Sequence, residues 1–142
     1  PDSIIRTAQE AAAEVSVSRF TLTLDQAGGF GQLKSIPWWL GPRQTPAELR
    51  QLWRGLRDAL RGRSIIPQAH SSLKPHVTVT YNANQILAST PVAEVRWEVD
   101  RFVLLHGAQV NGEPTYEVIG TWPLATNSMP KPGPAQRDLW DT

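Results

Sequence analysis

Lys74-Pro75-His76-Val77-Thr78-Val79-Thr80-Tyr81 alternates polar and apolar residues at period two, the pattern of a β-strand with two unlike faces. Side chains at i and i+2 share a face, so His76, Thr78 and Thr80 are expected to point one way and Val77, Val79 and Tyr81 the other. An imidazole and a hydroxyl then stand side by side. Imidazole exchanges a proton near neutral pH and a hydroxyl donates a hydrogen bond to a phosphate oxygen, so the pair suits phosphate chemistry. On spacing alone, a histidine on a partly exposed strand face is the more frequent reading. The neighbouring sequence has to decide.

Upstream, Thr45-Pro46-Ala47-Glu48 places an N-cap, a proline at the first helical position and a glutamate that could complete a capping box. Leu49, Leu52, Trp53, Leu56 and Leu60 follow at helical spacing, and Gly62 can end the helix. Arg50, Arg54, Arg57 and Arg61 form a second stripe on it, read as a solvated face rather than a phosphate-facing one because Glu48 and Asp58 lie nearby. Further upstream, Ile4, Ile5, Ala8, Ala11, Ala12 and Val15 predict an amphipathic helix over 3–15 that Asp2 or Ser3 can cap. Phe20-Thr21-Leu22-Thr23-Leu24 alternates as a half-buried strand, and Gly28-Gly29-Phe30-Gly31 is expected to break it. Ile36-Pro37-Trp38-Trp39-Leu40 reads as a short strand whose proline favours an edge or a bulge.

Downstream, 92–109 and 115–122 are two longer strand-like runs joined at Val110-Asn111-Gly112-Glu113, a strong hairpin signal. From Ala125 to Thr142 there is no periodicity, and Met129-Pro130-Lys131-Pro132-Gly133-Pro134 marks a mobile or draped tail. The expected organisation is one domain over 1–124 followed by a Pro-rich tail over 125–142. The 142 residues leave little room for two independent cores.

Composition narrows the function classes. Fourteen Lys plus Arg against thirteen Asp plus Glu give a net charge of +1, too balanced to hold a long polyanion by bulk charge. The absence of cysteine removes thiolate nucleophiles and Cys-ligated metals. His70, His76 and His106 are scattered without metal-ligand spacing, and the glycines at 28–31 fit neither nucleotide-binding glycine pattern. No apolar run approaches the ~18 residues of a membrane span, so a cytoplasmic location is the default expectation. His70 and His106 are read as a solvated loop residue and a strand residue outside the chemistry. Most of the six tryptophans are read as core, whereas Phe30, at a loop tip, is the aromatic suited to stacking on a base.

Taken in order, these segments resemble the 2′-5′ RNA ligase family of the two-histidine phosphoesterase superfamily. Lys74 to Val79 is similar to that family's second HxTx motif, of which Pro-His-x-Thr is the frequent form. Phe20 to Asp25 with Gly29-Phe30, then Trp38-Trp39-Leu40-Gly41 and the Leu-rich helix resemble the family's succession upstream. Val99 to Leu104, Gly112, Tyr116 and Thr121-Trp122-Pro123-Leu124 resemble its closing hairpin. The resemblance implies an α+β, bilobal fold of antiparallel sheets flanked by helices, each half giving one HxTx strand to a central cleft. It further implies hydrolysis of RNA 2′,3′-cyclic phosphates to 2′-phosphates, with 2′-5′ joining of RNA halves in some members. No metal or nucleotide cofactor is implied. The partners would be RNA ends or small cyclic nucleotides, bound by a monomer away from any membrane.

Residue by residue, His76 would be one of the two acid/base histidines and Thr78 its phosphate-binding partner. Tyr81 stands where many members carry an arginine, so Lys74 and the helix arginines are the candidates for added positive charge. The family's earlier HxTx precedes the helix with which this sequence opens, and no such motif occurs in the 142 residues. The expectation is therefore an enzyme with an N-terminal segment ahead of Pro1. The alternative is a non-catalytic RNA-binding module that has lost the first motif.

Overall fold

Phe20, Leu22 and Leu24 are buried while Thr21 and Thr23 between them are only half-buried, the alternation that makes this segment a strand with one core face. In the computed structural model, which describes residues 2–30, 35–67 and 72–126, that strand is β1 (Phe20–Gly29). The other elements are α1 (Asp2–Glu14), β2 (Ile36–Gly41), α2 (Ala47–Arg61), β3 (Val77–Ala83), β4 (Thr90–Val99), β5 (Arg101–Val110) and β6 (Glu113–Pro123). A four-stranded antiparallel sheet has the order β3-β2-β1-β4, and β5 and β6 form a separate two-stranded sheet. The architecture is the expected α+β class with antiparallel sheets and two helices.

The core lies between β1 and α2. Phe20, Leu22 and Leu24 meet Leu52, with Val17 and Leu124 beside them and Leu40, Leu49, Leu56, Val99 and Phe102 at the margins. This is the apolar stripe that the spacing assigns to α2. α1 docks its Ala11 and Ala12 inward, and Arg63 after α2 forms an ion pair with Glu14 at the end of α1. Chain ends of the core meet where Ser18 bridges Ala125 in parallel, with Val17 O and the Arg19 N–H both bonded to Ala125. Of the expected tail, residues from 127 onward lie outside those described.

Several local expectations are corrected. β1 runs on through Gly28 and Gly29 instead of breaking there. A Cβ on residue 28 would sit 2.5 Å from Trp39, so glycine is needed at 28 to admit the indole ring rather than to turn the chain. β2 is an inner strand rather than an edge, while the bulge expected at Pro37 is found: the β2–β3 register shifts between Ile36 and Trp38, where a strand proline is tolerated. α2 begins with Pro46 as its N-cap and no side-chain cap bond, so the capping box does not form. Asp2 and Ser3 fall inside the first turn of α1 rather than capping it. The run over 92–109 is two strands, because the chain leaves one sheet for the other at Asp100, whose carbonyl accepts from the Leu124 N–H.

The hairpin is as expected. Asn111 and Gly112 both have positive φ, 54° and 79°, as a tight two-residue turn of this twist requires. Trp97 is half exposed rather than core.

Replacing Gly28 by alanine should destabilise the fold by about 1–3 kcal/mol, the usual cost of overpacking a tight contact. Urea denaturation of Gly28→Ala against wild type measures it, and an unchanged midpoint would mean that Trp39 can move aside at no cost.

Candidate functional site

His76 sits immediately before β3 rather than within it, since the strand begins at Val77. Its Nδ1 lies 2.7 Å from the carbonyl oxygen of Lys74. A carbonyl only accepts, so Nδ1 carries the hydrogen and Nε2 is the ring nitrogen left with a free lone pair in the neutral ring. Phe30 approaches the imidazole edge to face, with ring centroids 4.9 Å apart at 84°. Phe30 in turn leans on Trp39 at 5.3 Å and 30°, and its backbone N–H donates to Pro37 O. The imidazole is thus held by a backbone carbonyl and by an aromatic pair anchored in β2.

These residues wall a cavity of about 220 Å³ lined by Phe30, Trp39, Pro42, Thr45, Lys74 and His76, together with Leu73 and Pro75. Of the expected site residues, His76, Lys74 and Phe30 come together there. Thr78 is not on the lining but is paired across the ladder with Trp39, so it stands one strand from the aromatic wall. The register slips between the Trp38–Thr80 and Trp39–Thr78 pairs, yet burial still alternates along the strand, with Thr78 and Thr80 half-buried and Val77, Val79 and Tyr81 exposed. Tyr81 is exposed, away from this cavity. His106 is on β5 opposite Glu117, in the other sheet. His70 lies outside the described residues.

The core reading of the tryptophans holds only in part for Trp39. Its Nε1 is buried without a hydrogen-bond partner among the described residues, while its ring forms cavity wall. A glycine two strand positions before an aromatic loop tip is the sequence signal for it.

Which face of the sheet carries the site follows from Leu40, which packs on the core. Trp39, its neighbour, points to the opposite face and shares it with Gly28 and Thr78, its two cross-strand partners. Thr21 and Thr23 lie on that face as well, opposite in sense to Leu22 and Leu24. Beside them is a second cavity of about 420 Å³, lined by Thr21, Thr23, Asp25, Arg43, Gln44 and Pro46. Asp25 accepts from the Arg43 backbone N–H at 2.8 Å and from Arg43 Nε at 3.2 Å. The backbone bond first, then the guanidinium, holds the Asp25 carboxyl below its ordinary value. Thr21 donates to the Glu98 carboxylate across the ladder. Elsewhere, Arg63 bonding lowers the Glu14 pKa, and Glu14 raises that of Arg63. Arg57 of the arginine stripe lies over Trp53 and pairs with Asp58, as a solvated face would.

No group of three or more potential metal ligands occurs among the described residues, and no helix there is long and apolar enough to cross a membrane. An α+β chain of antiparallel sheets with a His-x-Thr strand edge at a cavity has the build of a two-histidine phosphoesterase. The family model of the 2′-5′ RNA ligase superfamily matches residues 1–111, and the chain belongs to that superfamily. Among solved structures it is similar to E. coli LigT complexed with 3′-AMP, at 28% identity and a TM-score of 0.72, covering 87% of this chain and 70% of that one. A structure described as a phosphoesterase matches at 28% identity and a TM-score of 0.71, covering 88% of this chain and 71% of that one. TT0787 of Thermus thermophilus shares the fold at 18% identity, with a TM-score of 0.70 over 89% of this chain and 73% of that one. Among curated proteins none matches the chain.

The Asp25–Arg43 pair supplies a pH test. Because the Asp25 pKa is lowered on folding, its contribution to stability is present above the ordinary value of 3.8 and is lost as pH falls through the lower folded value. The stability gap between wild type and Asp25→Asn should be constant from neutrality to about pH 5 and close below about pH 4. Denaturant titrations across that range check it, and a gap that persists at pH 2 would show that charge is not its origin.

Proposed function

We propose that this protein processes RNA ends, opening 2′,3′-cyclic phosphates to 2′-phosphates by acid/base catalysis at His76, with 2′-5′ ligation as a second reaction of the same site. The observation that carries the reading is the His76 imidazole, with Nδ1 tied to the Lys74 carbonyl and Nε2 left free beside an aromatic-walled cavity. A base removes a proton from water as the oxygen attacks phosphorus. The bond from phosphorus to the 3′ oxygen breaks, and an acid protonates that leaving oxygen. Thr78 donates a hydrogen bond to a non-bridging phosphate oxygen, favouring the state in which negative charge gathers there. Lys74 adds positive charge at the cavity.

The reaction needs two proton-transfer groups. This chain supplies one in the family's position, and on the family pattern the other is a histidine of an earlier HxTx strand, which the 142 residues do not contain. That single motif favours the second reading, a module that binds RNA ends without turnover. The full-length protein distinguishes them.

Hydrolysis of a nucleoside 2′,3′-cyclic phosphate by the full-length protein should give a bell-shaped dependence of kcat/KM on pH. His76→Ala should lower kcat by about 10²–10⁴-fold, the range for one general acid or base. A rate independent of pH from 5 to 9, or an unaffected His76→Ala, would overturn the assignment. Binding without turnover in the wild type would leave the module reading standing.

A further inference from the structure

The two cavities on the open face share one wall. Pro42 and Thr45 line the cavity at His76, while Arg43, Gln44 and Pro46, from the same five-residue segment, line the cavity over β1. The linings differ in chemistry. The first has two aromatic rings, Phe30 and Trp39. The second has none, and offers hydroxyl, amide, carboxylate and guanidinium groups.

Among the described residues, the Thr23 hydroxyl and the Gln44 amide make no hydrogen bond to the protein. Arg43 gives its backbone N–H and Nε to Asp25, leaving its terminal nitrogens for a ligand. Arg96 stands opposite Thr23 in the β1–β4 register, beside rather than on the lining, and adds a second cation on the same face, where Glu98, opposite Thr21, is occupied by the Thr21 hydroxyl. Ribose hydroxyls need both acceptors and donors, which Asp25, Thr23 and Gln44 supply, and a phosphodiester needs cations, which the two arginines supply. A volume of about 420 Å³ is of the size that holds a ligand of nucleotide dimensions.

We propose that the cavity over β1 is a subsite for the sugar-phosphate of a nucleotide upstream of the reacting end, so that the protein prefers oligonucleotide ends to mononucleotides. The inference rests on the RNA-end reading above and adds to it a specificity for chain length. Aromatic surface beside His76 takes the reacting nucleotide, and the polar cavity beyond the 42–46 segment takes the backbone that leads to it.

The test compares a nucleoside 2′,3′-cyclic phosphate with a tetraribonucleotide ending in the same group, using the full-length protein. Wild type should show a higher kcat/KM for the tetranucleotide, and in Thr23→Val/Gln44→Leu that ratio should fall about tenfold, as loss of one or two ligand hydrogen bonds predicts. Thr23→Ser, which keeps the hydroxyl, should keep the ratio, and equal melting temperatures confirm that the variants are folded. A wild type without chain-length preference, or a ratio unchanged in the double variant, would overturn the subsite and leave the phosphoesterase reading intact. If neither substrate is turned over, that reading fails by itself. Equilibrium binding of a tetraribonucleotide bearing a 2′-phosphate then decides the subsite: binding about tenfold weaker in the double variant supports it, and equal binding overturns it.

Discussion

The indole of Trp39 occupies the space where residue 28 would carry a side chain, and both the sheet and the candidate site are arranged around that contact. Because Gly28 leaves room, β1 and β2 can pair directly with the ring lying over the ladder. Trp39 then gives Phe30 a surface to lean on, and Phe30 meets His76 edge to face. The position of the imidazole therefore depends on a glycine two strands away. A flexible histidine would lose rotamer freedom on every encounter with substrate, whereas this one is already confined by ring contact and by the Lys74 carbonyl.

The four-stranded sheet is wider than what covers it. A helix about 10 Å across spans about two strands spaced about 4.8 Å apart, so α2 can bury the middle of the sheet and little more. The buried residues follow that limit: Leu22 and Leu24 on β1 are covered, while Val95 and Trp97 on β4 and Val77 on β3 stay exposed at the two margins. β3 is thus an edge strand with an incompletely covered face, and it is the strand that carries Thr78. Exposed edges invite further pairing, and β3 shares that property with β4 at the other margin of the sheet.

Elements dictated by local periodicity are legible in the sequence. The Leu49 to Leu60 stripe, the alternation from Phe20 to Leu24 and the Asn111-Gly112 turn each emerge as read, since one face of each is fixed by burial or by φ. What is not legible depends on partners distant in the chain. Gly28-Gly29 has the composition of a turn, and only Trp39, eleven residues on, reveals it as strand. The slip at Val79 and the break at Asp100 are likewise set by registers between strands, which no single segment encodes. Within the site, His76, Lys74 and Phe30 can be named from sequence, but Trp39 reads as core because an aromatic beside aliphatics usually is. The cavity over β1 escapes for a similar reason: Thr21 and Thr23 look like the solvated side of a strand, and Arg43 and Gln44 like a linker.

That linker is stiffer than its length suggests. Pro42 and Pro46 restrict φ at both ends, and Arg43 is fixed to Asp25 through its backbone as well as its side chain. Gly41 ahead of it is pressed so close to Pro75 that a Cβ there would lie 2.9 Å from the Pro75 carbonyl oxygen. The segment before His76 and the segment dividing the two cavities are therefore packed against each other backbone to backbone. Side chains in the two cavities can change without altering the spacing between them, because that spacing is carried by main-chain contacts and by two prolines. Selectivity for what reaches His76 can then reside in Thr23, Gln44 and Arg43 while the geometry at the imidazole stays the same.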